Sequence, residues 1–158
     1  MTHQTIQQSE DEGIRVLKDA FKKYGLDKID IEATPTSCSF DAIINDDIIC
    51  EIKGRNLRHD QYKTYFLERK KHMALQEILE RGDNDFRASL YFCYFRNSNK
   101  ALAWWLREDH IQNYDVTRRT VRAKSAKDVS TAYQDRRDFI LLPAAHARKL
   151  PYDRSLLS

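Results

Sequence analysis

The chain has 158 residues, 41% of them hydrophobic and 32% charged, with a net charge of +3, which is the balance of one soluble globular domain spanning 1–158. No apolar run reaches the length of a membrane span and Met1–Ser9 is polar, so neither a membrane helix nor a secretory leader is expected. Cys38, Cys50 and Cys93 are odd in number and lack metal-ligand spacing, as expected of reduced thiols in a cytoplasmic protein rather than a disulfide or zinc framework.

The first predicted element is an amphipathic helix from about Ile6 to Tyr24. Ile14, Leu17, Phe21 and Tyr24 recur at helical spacing, and Gly25 is placed to end it. Glu10 continues this core-facing stripe, an unusual place for an acid, whereas Glu12 falls further off it. A bland reading is an acid in the first turn that favours the helix dipole. Lys28–Glu32 alternates as a strand does, and Thr34-Pro35-Thr36 breaks it.

The next stretch organises the chain. Ala42–Ile44 and Ile48–Cys50 are apolar runs around Asn45-Asp46-Asp47, which predicts a β-hairpin with a three-residue loop and Ile44 opposite Ile48. In that register Asp41 faces Glu51, and alternation puts Lys53 on the face of Glu51. Like charges opposed across two strands are destabilising, and a bound divalent cation reverses the sign. Hard carboxylate oxygens suit Mg²⁺ or Mn²⁺, and an adjacent ammonium stabilises charge on a phosphate or orients an attacking water.

Arg58–Glu80 is rich in helix formers and is expected to be the second helix, with Tyr62, Phe66, Met73, Ile78 and Leu79 among its apolar positions. A polar stripe of Arg58, Gln61, Tyr65, Arg69, His72 and Gln76 follows steps of three and four along it, with His72 read as a surface residue. Gly82–Asp85 is a turn, and Phe86–Phe95 is apolar enough for a buried central strand, which makes the preceding helix a βαβ crossover. Ala101–Leu106 reads as the return strand, with Trp104 and Trp105 on opposite faces and core packing favoured over base stacking. Thr117–Arg137 holds Arg118, Arg119, Arg122, Lys124, Lys127, Arg136 and Arg137 with few apolar residues, and is expected to be a loop or a loosely held segment, either a solvated surface or a contact for backbone phosphates. Phe139–Leu142 resumes as a short strand stopped by Pro143, and Ala144–Leu150 as a last helical turn or two. The fold expected from these elements is α/β, a mixed sheet of about five strands flanked by helices.

Charge is divided unevenly. Residues 1–53 carry 6 Lys/Arg against 11 Asp/Glu, net −5, and residues 54–158 carry 21 against 13, net +8. An acidic half with the paired carboxylates and a basic half able to hold a polyanion fit a phosphodiester substrate.

At Asp41, then Glu51-Ile52-Lys53, with a helix before and a helix after, the chain resembles the PD-(D/E)xK nuclease superfamily. Phe40 stands where the family pattern has proline. The resemblance implies a restriction-endonuclease-like fold and a Mg²⁺- or Mn²⁺-dependent deoxyribonuclease, with Asp41 and Glu51 as metal ligands and Lys53 as the catalytic lysine. It further implies a metal-binding Glu in the first helix, Glu10 by helical phase and Glu12 second. Gln61 and Tyr65 match the QxxxY motif of one branch, whose Gln and Tyr position water or DNA, although only seven residues separate Lys53 from Gln61. Arg58, Arg69, Arg118, Arg119 and Arg122 are the expected nucleic-acid contacts. The small size is similar to that of structure-specific nucleases, including junction resolvases that act as homodimers, and a phage or mobile element is the natural setting. The rival readings are an inactive nuclease-fold module that binds nucleic acid, and an inhibitor that docks through its basic segment.

Overall fold

The computed structural model describes residues 3–26, 28–122 and 134–157. Helix α1, His3–Lys23, buries Glu12, Val16, Leu17, Ala20 and Phe21, one stripe at helical spacing. Gly25, at φ +91°, ends it: Gly25 N donates to Lys22 O at 3.0 Å and Leu26 N to Phe21 O at 2.9 Å, the paired closing bonds of a left-handed C-cap. Tyr24, expected on the core stripe, is instead 44% exposed, its ring 5.7 Å from the Arg148 guanidinium.

Three strands follow: β1 (Ile31–Ala33), β2 (Ala42–Ile44) and β3 (Ile48–Arg55). The first is shorter and later than the expected Lys28–Glu32. The hairpin register is the expected one, with Ile44 opposite Ile48 and Ala42 opposite Cys50. Its loop works because Asn45 and Asp46 take φ of 51° and 65°, a region that Asn and Asp tolerate better than other side chains.

The helix expected over Arg58–Glu80 exists only as α2, Arg69–Glu80. Thr64–Glu68 is strand β4, paired antiparallel with the end of β8, Gln134–Pro143. Tyr65 and Leu67 are buried while Phe66 between them is half-buried, a period of two that tertiary pairing imposed over helical propensity. Strand β5 (Ala88–Phe95) then runs parallel to β3, and β6 (Lys100–Trp105) returns antiparallel to it. Trp104 is buried and Trp105 is 53% exposed, so the two do take opposite faces. A short helix, α3 (Glu108–Ile111), leads to β7 (Val116–Arg122).

The basic segment is therefore not a loop where it is described: 116–122 and 134–140 form an antiparallel ladder, and Lys124 and Lys127 lie outside the described residues. The expected closing helix is only a 3-10 turn, Ala144–His146, followed by β9 (Arg148–Pro151) on the edge of β6.

The architecture is α/β: a mixed six-stranded sheet in the order β1-β2-β3-β5-β6-β9 and a small antiparallel sheet, β4-β8-β7. The expectation of about five strands missed β9 and the second sheet. Alternation along β5 sends Leu90, Phe92 and Tyr94 into a core under α1, and Tyr91, Cys93 and Phe95 into a second core under α2 and the small sheet. A Cβ at Gly54 would fall 2.6 Å from the Tyr94 ring, so only glycine lets β3 pass beside it. Among the described residues no helix is long and apolar enough to cross a membrane.

Candidate functional site

β2 pairs with β3 only from Ala42 to Ile44, while β3 continues to Arg55. Asp41 takes over where that ladder stops. Its N–H donates to Cys50 O at 2.9 Å, and its Oδ2 accepts from the otherwise unpaired Ile52 N–H at 2.7 Å. The carboxylate thus caps the strand edge and is fixed there.

Glu51 stands beside it, its side chain 17% exposed. Lys71, in the first turn of α2, lies 3.6 Å from Glu51 Oε1 and donates to Ser39 O at 3.0 Å. The other oxygen, Oε2, is buried without a hydrogen-bond partner among the described residues. Burial first, and then the neighbouring Asp41 charge, push Glu51 from the ordinary 4.5 up to about 7 against the opposing pull of Lys71 and Lys53. Burial raises Asp41 as well, opposed by the Ile52 N–H and by Lys71. Lys53 is exposed, and its charge favours ionisation of both acids.

The first-helix acids part company. Glu10 Oε2 accepts from Thr36 Oγ1 at 3.2 Å, and Glu10 lines a small cavity of about 50 Å³ together with Asp41, Thr34 and Ile52. That volume holds a water or a single ion. Glu12 is fully buried elsewhere in the α1 core, bonded to Tyr94 Oη at 2.9 Å and to the Arg96 guanidinium.

The remaining expected residues are dispersed, because the helix meant to align them is a loop and a strand. Tyr65 is a core residue whose hydroxyl is hydrogen-bonded to Arg58 O (3.0 Å) and His59 O (2.9 Å) and accepts from Tyr62 N–H. Gln61 is exposed in the preceding loop, bonded to Tyr62 Oη, and Arg58 pairs with Asp60. Arg69 lies 3.8 Å from Asp138, which also binds Arg118 at 2.9 Å. Arg119 is stacked 4.7 Å over the Phe66 ring, and Arg122 ends β7 with its side chain outside the described set. His72, read as a surface residue, is buried with Nε2 3.0 Å from Glu108. It faces an open groove of about 1510 Å³ between α2, α3 and the small sheet, which none of Asp41, Glu51 and Lys53 lines.

Sequence reading missed Lys71. Its only signal is position in a first helical turn, and that turn was misplaced by eleven residues.

Two carboxyl groups, one with an orphaned buried oxygen, fit a hard cation that takes one or two protein carboxylates and fills its other positions with water and phosphate. Among the described residues no group of three or more His, Cys, Asp and Glu converges.

The raised Glu51 pKa has a consequence for stability. Its folded value lies above the unfolded one, so the charged form costs stability that is absent below about pH 4.5 and fully felt above about pH 7. In metal-free protein Glu51→Gln is expected to raise the melting temperature at pH 8, by the equivalent of about 1–3 kcal/mol, with the gain vanishing toward pH 4.5. Thermal melts across that range with a chelator present check it, and a pH-independent difference would remove the burial argument.

Set against known proteins, the chain matches no family model, no curated protein and no solved structure.

Proposed function

We propose that the chain is a metal-dependent nuclease that hydrolyses phosphodiester bonds in DNA, on a restriction-endonuclease-like version of the α/β fold. The observation that carries this reading is the Asp41–Glu51 pair, two adjacent carboxyl groups whose burial leaves Glu51 Oε2 unsatisfied. A protein gains nothing in stability from such a pair alone, and a divalent cation removes its cost. The element order supports the reading too: α1, the β1-β2-β3 meander, then a crossover through α2 to the parallel β5.

Asp41 and Glu51 are the residues that would hold Mg²⁺ or Mn²⁺, with Glu10 lining the adjoining cavity. The chemistry such an ion supplies when bound is polarisation of the phosphoryl group and a lowered pKa for water. Lys53, exposed on the same strand, is free to meet the phosphate and offset its developing charge. Lys71 holds Glu51 in place from α2. The basic half of the chain supplies attraction for a polyanion, and a junction-resolvase-like homodimer is the assembly that goes with this reading.

The test is a cleavage panel of duplex, single-stranded, flap and four-way-junction DNA with Mg²⁺ and Mn²⁺, beside calorimetry with Mn²⁺. Cleavage that requires metal is expected. Lys53→Ala is expected to lower it by on the order of 10²-fold with Mn²⁺ binding retained, since an ammonium is no ligand. Folded wild-type protein that neither binds metal nor cuts any substrate would replace this reading with a non-catalytic binding module.

A further inference from the structure

Alternation sorts the small sheet into two faces. Tyr65, Leu67, Ile140 and Leu142 point into the core shared with α2. Phe66, Phe139, Arg119 and Arg137 take the opposite face, by the pairings Phe66 with Leu141, Glu68 with Phe139 and Arg119 with Arg137. Neither phenylalanine belongs to a core cluster, and both are half-buried. Their ring centroids lie 5.6 Å apart, and the Arg119 guanidinium lies 4.7 Å above Phe66. The ladder sets Arg119 directly opposite Arg137, which gathers positive charge on this face. Arg137 is 3.6 Å from Glu68, while Arg119 has a ring rather than a carboxylate beneath it. Arg118, by contrast, points to the other face and is tied to Asp138.

We infer that this outer face binds an unpaired stretch of nucleic acid, with bases against Phe139 and the Arg119 guanidinium that lies over Phe66, and phosphates drawn by Arg119 and Arg137. Aromatic rings beside guanidinium groups on an open sheet recognise the flat faces of bases and the charge of the backbone together. A duplex hides those base faces in its own stack, so the occupant is a single strand. Along the chain, three residues separate Glu68 on this sheet from Lys71, the ion-pair partner of Glu51, a span of about 10 Å at most. The inference rests on the nuclease reading for the identity of its partner, and it makes the substrate a flap, an end or another single-stranded segment.

Anisotropy of the full chain, in chelator, with a fluorescein-labelled thymidine oligonucleotide of about 20 nucleotides against a blunt duplex tests it. The single strand is expected to bind at least roughly tenfold tighter. Phe66→Leu/Phe139→Leu, which keeps apolar volume but removes both rings, and Arg119→Ala, an exposed change that spares the core, are each expected to weaken it by on the order of tenfold. Lys18→Ala, an exposed change on α1, is expected to stay within about twofold. Ultraviolet crosslinking should place thymine on 64–68 or 137–141. Preference for duplex, unchanged affinity in the Phe and Arg119 variants, or variants that change oligomeric state but not oligonucleotide affinity would each overturn the inference. Because no cleavage is needed, the two readings fail separately. Binding through this face without metal-dependent cleavage sinks only the enzyme, and cleavage with unaltered variants sinks only the platform.

Discussion

Asp41→Asn is expected to abolish cleavage and leave the fold standing. Asparagine keeps the shape, and its carbonyl oxygen can still accept from the Ile52 N–H that the carboxylate now caps at 2.7 Å. What it removes is one of two charges able to hold a cation. Metal assistance contributes several kcal/mol to a phosphoryl transition state, so the loss corresponds to on the order of 10³-fold or more in kcat. The same change removes the charge that, after burial, does most to raise Glu51, which should ionise at lower pH in the variant. DNA binding is expected to persist or tighten, since a negative charge facing the phosphate is gone. Single-turnover cleavage beside Mn²⁺ calorimetry and a thermal melt reads all of this. Full activity in Asp41→Asn would move the active site elsewhere.

The second large effect is on stability and concerns the other first-helix acid. Glu12 is completely buried at the N-terminal end of the α1 packing stripe, where it joins Tyr94 Oη and the half-buried Arg96. Glu12→Ala strands Arg96 and the Tyr94 hydroxyl without their acceptor and opens a void. Breaking a buried pair from one side costs about 3–5 kcal/mol, which for a chain of this size lowers the melting temperature by about 6–20 °C. Metal binding is expected to survive in whatever fraction stays folded at low temperature. A variant that melts normally but loses Mn²⁺ binding would return Glu12 to the metal site.

The hairpin was legible because its signals are local. Two apolar runs fix its strands, and Asn45-Asp46 meet the positive φ of its loop, so the register from Ala42 to Cys50 followed from the chain alone; Asp41, expected in that ladder opposite Glu51, lies past its end and caps the Ile52 N–H. The central strands were legible for a different reason: Ala88–Phe95 is too apolar to be anything but covered on both faces. Arg58–Glu80 misled because its composition suits a helix throughout, and the alternation of Tyr65, Phe66 and Leu67 is only three residues deep. What makes β4 a strand is β8, far away in sequence. The basic segment misled similarly. Val116–Arg122 carries Arg118 and Arg119 on opposite faces, and its described side chains are exposed or half-buried, so it offers no apolar stripe to read.

For the site, phase along α1 placed Glu10 on the core stripe and Glu12 off it, and the structure reverses this: Glu12 is fully buried on the stripe, while Glu10 is half-buried beside the cavity that Asp41 lines. The spacing of Gln61 and Tyr65 suggested a shared helical face, which requires a helix that does not form there. Lys71 was out of reach, since no local pattern ties a helix-start lysine to a carboxylate twenty residues earlier.

The two halves of the proposed machinery assemble by very different routes. The β2–β3 hairpin closes over three residues and forms on a microsecond scale, so Asp41 and Glu51 meet almost as soon as the chain collapses. The β4–β8 ladder joins residues roughly 70–80 positions apart, and the entropy of closing that loop is recovered only when the intervening strands are already docked. The carboxylate pair therefore belongs to the early, locally encoded part of the folding reaction, and the Phe66–Phe139 surface to the late one.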